Sequence, residues 1–238
     1  MSQEEKRCLP GVIGDLDEEA ARSRRVITLE QSVLEENDLV AAQNRALFKS
    51  HDLHVLNLIS SPGAGKTSLL VETLWRLKGE LRCAVIEGDQ QTAHDAQRIA
   101  ETGAPVIQIN TRGGCHLNAT QVRKAMEHLP LAGLDLIFIE NVGNLVCPSE
   151  FDLGESEKTV IMSVTEGEDK PVKYPLAFRL ARLMVLTKID LLPHLRFDLD
   201  LCKSYAHRTN SQIEILETSV FNENGLDPWI KALRKRIR

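Results

Sequence analysis

The run Ser60-Ser61-Pro62-Gly63-Ala64-Gly65-Lys66-Thr67 constrains this chain more than any other feature of its 238 residues. It follows a short apolar segment, His54–Ser60, and opens a helical stretch, Lys66–Leu77, that closes near Gly79. Strand, glycine-rich turn and helix fit the phosphate-loop pattern G-x-x-x-x-G-K-S/T, with Ser60 in place of the first glycine. Glycines let main-chain N–H groups wrap phosphates without Cβ clashes. The helix N-terminus adds partial positive charge. Lys66 is placed to reach the β- and γ-phosphates, and the Thr67 hydroxyl to ligate Mg²⁺. Gly63, Ala64, Gly65, Lys66, Thr67 and Ser68 are therefore the expected phosphate contacts. The plainer alternative is a turn that only links a strand to a helix.

The same alternation repeats downstream. Strands are expected at Cys83–Glu87, Val106–Ile109, Leu134–Glu140, Val160–Val164, Leu183–Leu186 and Ile213–Leu216. Helices are expected between them, at about Ala93–Thr102, Leu117–His128, Tyr174–Ala181 and Leu199–His207, with a last one at Pro228–Arg236. Apolar strands alternating with helices predict an α/β fold of three layers, a mostly parallel central sheet covered on both faces. Ahead of it, residues 1–14 read as a loose arm. Asp15 to Ser50 lacks Gly and Pro and carries apolar residues at the spacing of one or two amphipathic helices. The expected organisation is an N-terminal arm and helical appendage over residues 1–50, then a nucleotide-binding domain over residues 51–238.

Two further segments extend the nucleotide reading. Glu140-Asn-Val-Gly143 follows an apolar strand, where a second phosphate-sensing loop belongs. Glu140 would act through Mg²⁺ or its water, and the Gly143 N–H would face the γ-phosphate. Alone, Glu140 is a strand-end carboxylate. Thr187-Lys188-Ile189-Asp190 follows another strand and approaches the guanine-reading pattern N-K-x-D, with Thr187 in the place of Asn. Asp190 would accept from guanine N1–H and its exocyclic amine, a donor pair adenine lacks, while Lys188 packs along the base. Ser219 and Val220, after the last strand, stand where a base-contacting loop sits.

Cys115-His116 and the distant Cys147 make a soft ligand set of three, suited to Zn²⁺ or Ni²⁺ and left open at one position. Spacing alone leaves the alternative of two buried thiols and a loop histidine. Cys8, Cys83 and Cys202 read as a tail thiol, a strand residue and a helix residue. Five cysteines make no disulfide scaffold, which fits a reducing, cytoplasmic setting. A net charge of −5 and 4% aromatic residues argue against nucleic-acid partners. No apolar run approaches the length of a membrane span, so no membrane association is expected.

The runs Ser60–Ser68, Ile86–Gln90, Gly114–Leu117, Ile139–Pro148, Ser163–Pro171 and Lys188–Pro193 closely resemble the hydrogenase nickel-incorporation GTPases, the HypB family, across residues 27–236. The resemblance implies a GTPase of the SIMIBI class that dimerises when GTP-bound. It implies delivery of nickel to the hydrogenase large subunit together with a small zinc-containing accessory protein. It also implies Ni²⁺ or Zn²⁺ ligands at Cys115, His116 and Cys147, at the dimer interface. Asp89 and Asp95 match the family's first switch, where one helps hold Mg²⁺ or orients the attacking water. Lys66, Asp89, Asp95 and Glu140 are thus the expected catalytic set, with Thr67, Asp89, Asp95 and Glu140 around Mg²⁺. Unlike some family members, the chain has no C-x-x-C-G-C motif and no histidine run, so an N-terminal nickel site and a storage role are not expected. Rival readings are a GTPase serving urease or a cobalamin enzyme, a small-molecule kinase on the same phosphate loop, and a zinc-stabilised binding module.

Overall fold

A computed structural model describes residues 13–89 and 94–237, with side chains of the first helix from Ser32 onward. The boundary between two compact units falls between Glu36 and Asn37. Helix α1 spans Ile13–Ser50 as one helix, because nothing after Gly14 breaks it. The arm expected over residues 1–14 lies outside the described residues up to residue 12, and Ile13 and Gly14 are already helical.

Strand β1, His54–Ser60, runs into the phosphate loop and helix α2, Lys66–Leu77, as expected. Next come β2, Cys83–Asp89; α3, His94–Ala100; β3, Val106–Asn110; and α4, Ala119–Met126. Helix α4 begins two residues later than apolar spacing suggests. The Asn118 side chain accepts from Gln121 N while Gln121 returns a bond to Asn118 N, a capping box that fixes the start. Strand β4, Leu136–Gly143, precedes the single turn α5, Cys147–Glu150. Then follow β5, Glu157–Ser163; the turn α6, Lys170–Lys173; α7, Pro175–Leu180; and β6, Ala181–Thr187. A 3₁₀ turn at Ile189–His194, α8, Leu199–Thr209, β7, Glu214–Glu217, and α9, Asp227–Ile237, complete the described chain.

The seven strands form one sheet in the order β3-β2-β4-β1-β5-β6-β7, and every ladder between them is parallel. The expectation of a three-layer α/β fold holds. One expectation is corrected: Asn141–Gly143, expected beyond a strand ending at Glu140, is the last part of β4. The strand runs on because β1 continues beside it, pairing Leu58 with Glu140 and, past a register shift, Ser60 with Gly143.

Alternation along the strands fills both faces. Leu56, Leu58, Leu136 and Phe138 pack with Leu70, Leu74, Trp229 and Leu233 of α2 and α9. On the other face Val55, Ile137 and Ile139 meet Phe48 of α1 and Val122 and Met126 of α4. Farther along that face, Val160, Met162 and Met184 meet Phe178 of α7 and Ala206 of α8. Burying aliphatic and aromatic side chains of this size stabilises by roughly 1.5–3 kcal/mol each. The sheet is thereby packed on both faces, and its loops leave from the carboxyl ends of buried strands. In parallel sheets of this kind, ligand crevices lie at those ends.

Candidate nucleotide and metal sites

At the carboxyl end of β1 the chain turns through Gly63, φ 74°, and Gly65, φ 87°. These are left-handed values that glycine adopts without cost. The turn opens into a cleft of 460 Å³ lined by residues 60–68, Glu87, Asp89, Asp95, Glu140, Gly143 and Lys188, among others. The expected phosphate contacts Gly63, Ala64, Gly65, Lys66, Thr67 and Ser68 thus share one cavity with the carboxylates Asp89, Asp95 and Glu140.

Inside it, Thr67 Oγ1 donates to Glu140 Oε1 at 2.6 Å, and Lys66 Nζ lies 3.4 Å from the same oxygen. Glu140 is 2% exposed, and its second oxygen is buried without a partner. Directly across the β2–β4 ladder stands Glu87, also 2% exposed, with Oε2 likewise unpartnered. Burial, reinforced by Glu140, Asp89 and Asp95 and opposed by Lys66, pushes the Glu87 carboxyl up to about 8. Unpaired buried carboxylate oxygens beside a threonine hydroxyl fit a hard divalent cation such as Mg²⁺, which takes oxygen ligands. Sequence reasoning missed Glu87. Its signal was a carboxylate directly after the apolar run Cys83–Ile86, on the strand itself. It also missed Arg98, whose guanidinium bonds Asp95 Oδ1 at 3.3 Å and Ser68 Oγ at 3.2 Å.

The segment expected to read the base, Thr187–Asp190, sits beside the phosphate loop. Thr187 is buried, and its hydroxyl donates to Ala64 O at 2.6 Å. Lys188 holds φ 60° and donates to Gly63 O at 2.8 Å. A non-glycine residue in that region is strained and marks a constrained site. Ser219 Oγ donates to Asp190 Oδ1, orienting that carboxylate, and accepts from Phe221 N at 3.1 Å. Val220 is half-buried against the core.

A second cluster lies apart from the cleft residues. The donor atoms of Cys115, His116 and Cys147 all fall within 4.8 Å of one another, each residue half-buried. Cys115 Sγ and His116 Nδ1 are 3.4 Å apart, and the imidazole stacks on Phe151 at 3.9 Å between centroids. A hydrogen bond with Cys147 raises the Cys115 thiol, with burial adding to it. Burial lowers the His116 imidazole against the pull of Glu150, so its nitrogens favour the neutral, ligating form. Two sulfurs and an imidazole at this separation fit a soft ion, Ni²⁺ or Zn²⁺, with a coordination position left over. Cys83 and Cys202 are buried, with thiols pushed up to about 12, the condition of inert core residues. Cys8 lies outside the described residues.

The two sites are joined by a buried amide. Asn141, next to Glu140, accepts through Oδ1 from Leu117 N at 3.1 Å, one residue past His116. Its Nδ2 donates to Asn57 Oδ1 at 3.2 Å, and Asn57 donates to Glu155 at 3.1 Å. No helix among the described residues is long and apolar enough to cross a membrane.

Residues 54–217 match the family model for the nucleotide-binding domain of CobW, HypB and UreG proteins. The hydrogenase maturation factor HypB of Escherichia coli strain K12 is 54% identical over 210 residues, 88% of this chain and 72% of that protein. Two solved structures superpose with TM-scores of 0.81. HypB of Archaeoglobus fulgidus is 34% identical over 86% of this chain and 100% of its own. HypB of Helicobacter pylori, solved with nickel, is 35% identical over 85% and 95%. With the phosphate loop in its cleft and these relatives spanning nearly the whole chain, the protein belongs to the HypB family of hydrogenase maturation factors.

Proposed function

We propose that this chain is a slow GTPase whose nucleotide state controls both its dimerisation and its hold on nickel, in the service of nickel insertion into hydrogenase. The reading rests on one short segment. Glu140, bonded to Thr67 and Lys66, and Cys147, one of three soft donors, stand on the same stretch of β4 and α5. A change that moves Glu140 therefore pulls on a nickel ligand.

In this account the phosphate-loop N–H groups and Lys66 cradle the β- and γ-phosphates, and Asp190 reads guanine. Thr67 and the carboxylates Asp89, Asp95 and Glu140 would hold Mg²⁺, which would supply neutralisation of the developing charge. Asp89 or Asp95 orients a water. That water attacks the γ-phosphorus, the bond to the β-phosphate oxygen breaks, and GDP and phosphate leave. The Gly143 N–H senses the loss of the γ-phosphate. Nickel is cargo on Cys115, His116 and Cys147, and a second copy of the chain, joined in the GTP state, completes the site. A small zinc-containing accessory protein and the hydrogenase large subunit are the proposed exchange partners, in the cytoplasm; Zn²⁺ is the competing ion.

Turnover of GTP and ATP by the wild type, Lys66→Ala and Asp190→Ala tests the enzymatic half. Expected is slow GTP hydrolysis, lost in Lys66→Ala, with preference over ATP reduced in Asp190→Ala. Phosphate transfer to an added acceptor, or equal use of ATP, would instead favour a kinase.

A further inference from the structure

Helix α1 is bonded to both segments that carry the metal donors. Asn44, fully buried, donates through Nδ2 to Ala119 O at 2.9 Å and to Leu153 O at 3.0 Å. Asn37, on the same face two turns earlier, accepts from Ala119 N at 2.9 Å and donates to Asp152 O at 2.8 Å. Ala119 opens α4 just after Cys115 and His116, while Asp152 and Leu153 follow the Cys147 turn. Each amide thus spans the gap between the two ligand-bearing backbones.

Packing confirms how tightly α1 is pressed there. Gly154 has φ 89°, and an added Cβ would lie 2.6 Å from both Ala41 O and Asn44 Cβ. Arg45 Nη2 donates to both oxygens of the Asp152 carboxylate, at 2.7 and 2.8 Å. A core position between Ala41 and Phe48 has no need of an amide for packing alone. Burying one is costly unless it is paired, and Asn44 Oδ1 stays unpaired even so. The two asparagines are better explained by the main-chain atoms they tie together.

We propose that Asn37 and Asn44 are positioning residues for the metal site, setting the distance between the Cys115–His116 segment and the Cys147 segment. The inference rests on the metal reading given above. It makes α1 a determinant of nickel affinity although it supplies no ligand.

The test compares wild type with Asn44→Ala, Asn37→Asp and Arg45→Ala in the full chain. Nickel affinity, GDP affinity and the rate at which diamide joins Cys115 to Cys147 are measured in each. Expected is a loss of nickel affinity of about tenfold or more in Asn44→Ala, with slower disulfide formation and GDP affinity unchanged. Asn37→Asp, which keeps the acceptor for Ala119 N and loses the donor to Asp152 O, shows the same pattern at smaller size. It carries the test if Asn44→Ala fails to fold. Arg45→Ala, which touches one segment only, changes neither readout. Unaltered nickel affinity and thiol rate in folded asparagine variants would overturn the proposal. A wild type that takes up no nickel overturns the metal reading beneath it, and the diamide rates then decide the bridge by themselves.

Discussion

Glu87 concentrates the electrostatic tension of the nucleotide cleft. In the folded, metal-free chain its carboxyl is pushed from 4.5 up to about 8, chiefly by burial and then by Glu140, Asp89 and Asp95. A raised acid favours the folded state while protonated. Stability from this group is therefore full below about 4.5 and is lost as pH rises through about 8. Thermal unfolding without nucleotide or Mg²⁺ should show that decline in the wild type and a flatter profile in Glu87→Gln. Thr187 makes a second residue-scale case. Its hydroxyl holds the phosphate loop through Ala64 O, so Thr187→Val leaves a buried carbonyl unpaired. Denaturant unfolding should register a loss of about 1–3 kcal/mol. Thr67, Lys66 and Glu140 were legible because the motif fixes their places. Glu87 was not, because a carboxylate in an apolar run shows its meaning only once β4 brings Glu140 alongside. Asn141 was hidden likewise, since its partner Leu117 lies far off in sequence.

Among the elements, periodicity located the strands well and their ends less well. Strand β4 outlasts its apolar run because β1 supplies a neighbour as far as Gly143, which no local pattern reveals. The single turns α5 and α6 were unanticipated, being too short to show a helical stripe. Yet α5 is the element that presents Cys147 next to Cys115 and His116. The β4 amide of Asn141, a residue that itself lines the cleft, links this arrangement to it by accepting from Leu117 N. Asn141→Ala should leave nickel affinity in the GDP state nearly intact and bring the ratio of affinities between nucleotide states toward one. Equilibrium dialysis in each state measures that ratio. Gly154→Ala tests the seat of α1. Strain at φ 89° together with the contact on Ala41 O should cost at least about 1–3 kcal/mol in denaturant unfolding.

At the scale of the molecule, a parallel sheet buried on both faces carries two sets of donors at its loop-bearing end. Hard oxygen donors and the glycine-rich turn line the cleft after β1, while sulfur and imidazole gather on the segments that follow β3 and β4. The alternation of strands and helices made this fold class readable in advance, because the sheet is covered on both faces and its strands are nearly continuous in apolar residues. Spacing alone left the meeting of Cys115, His116 and Cys147 open, since it depends on the sheet order β3-β2-β4, which sets the ends of β3 and β4 only one strand apart. Coupling between two such sites is reciprocal, so whatever nucleotide does to nickel, nickel does to nucleotide. The central claim is that the γ-phosphate changes nickel affinity at this cluster. The most direct measurement is the nickel dissociation constant of the full chain with GDP and with a non-hydrolysable GTP analogue, repeated in Cys147→Ala. The account predicts affinities that differ by about tenfold, or about 1.4 kcal/mol of coupling, in the wild type and no such difference in the variant. Equal affinities in both nucleotide states of the wild type would contradict it.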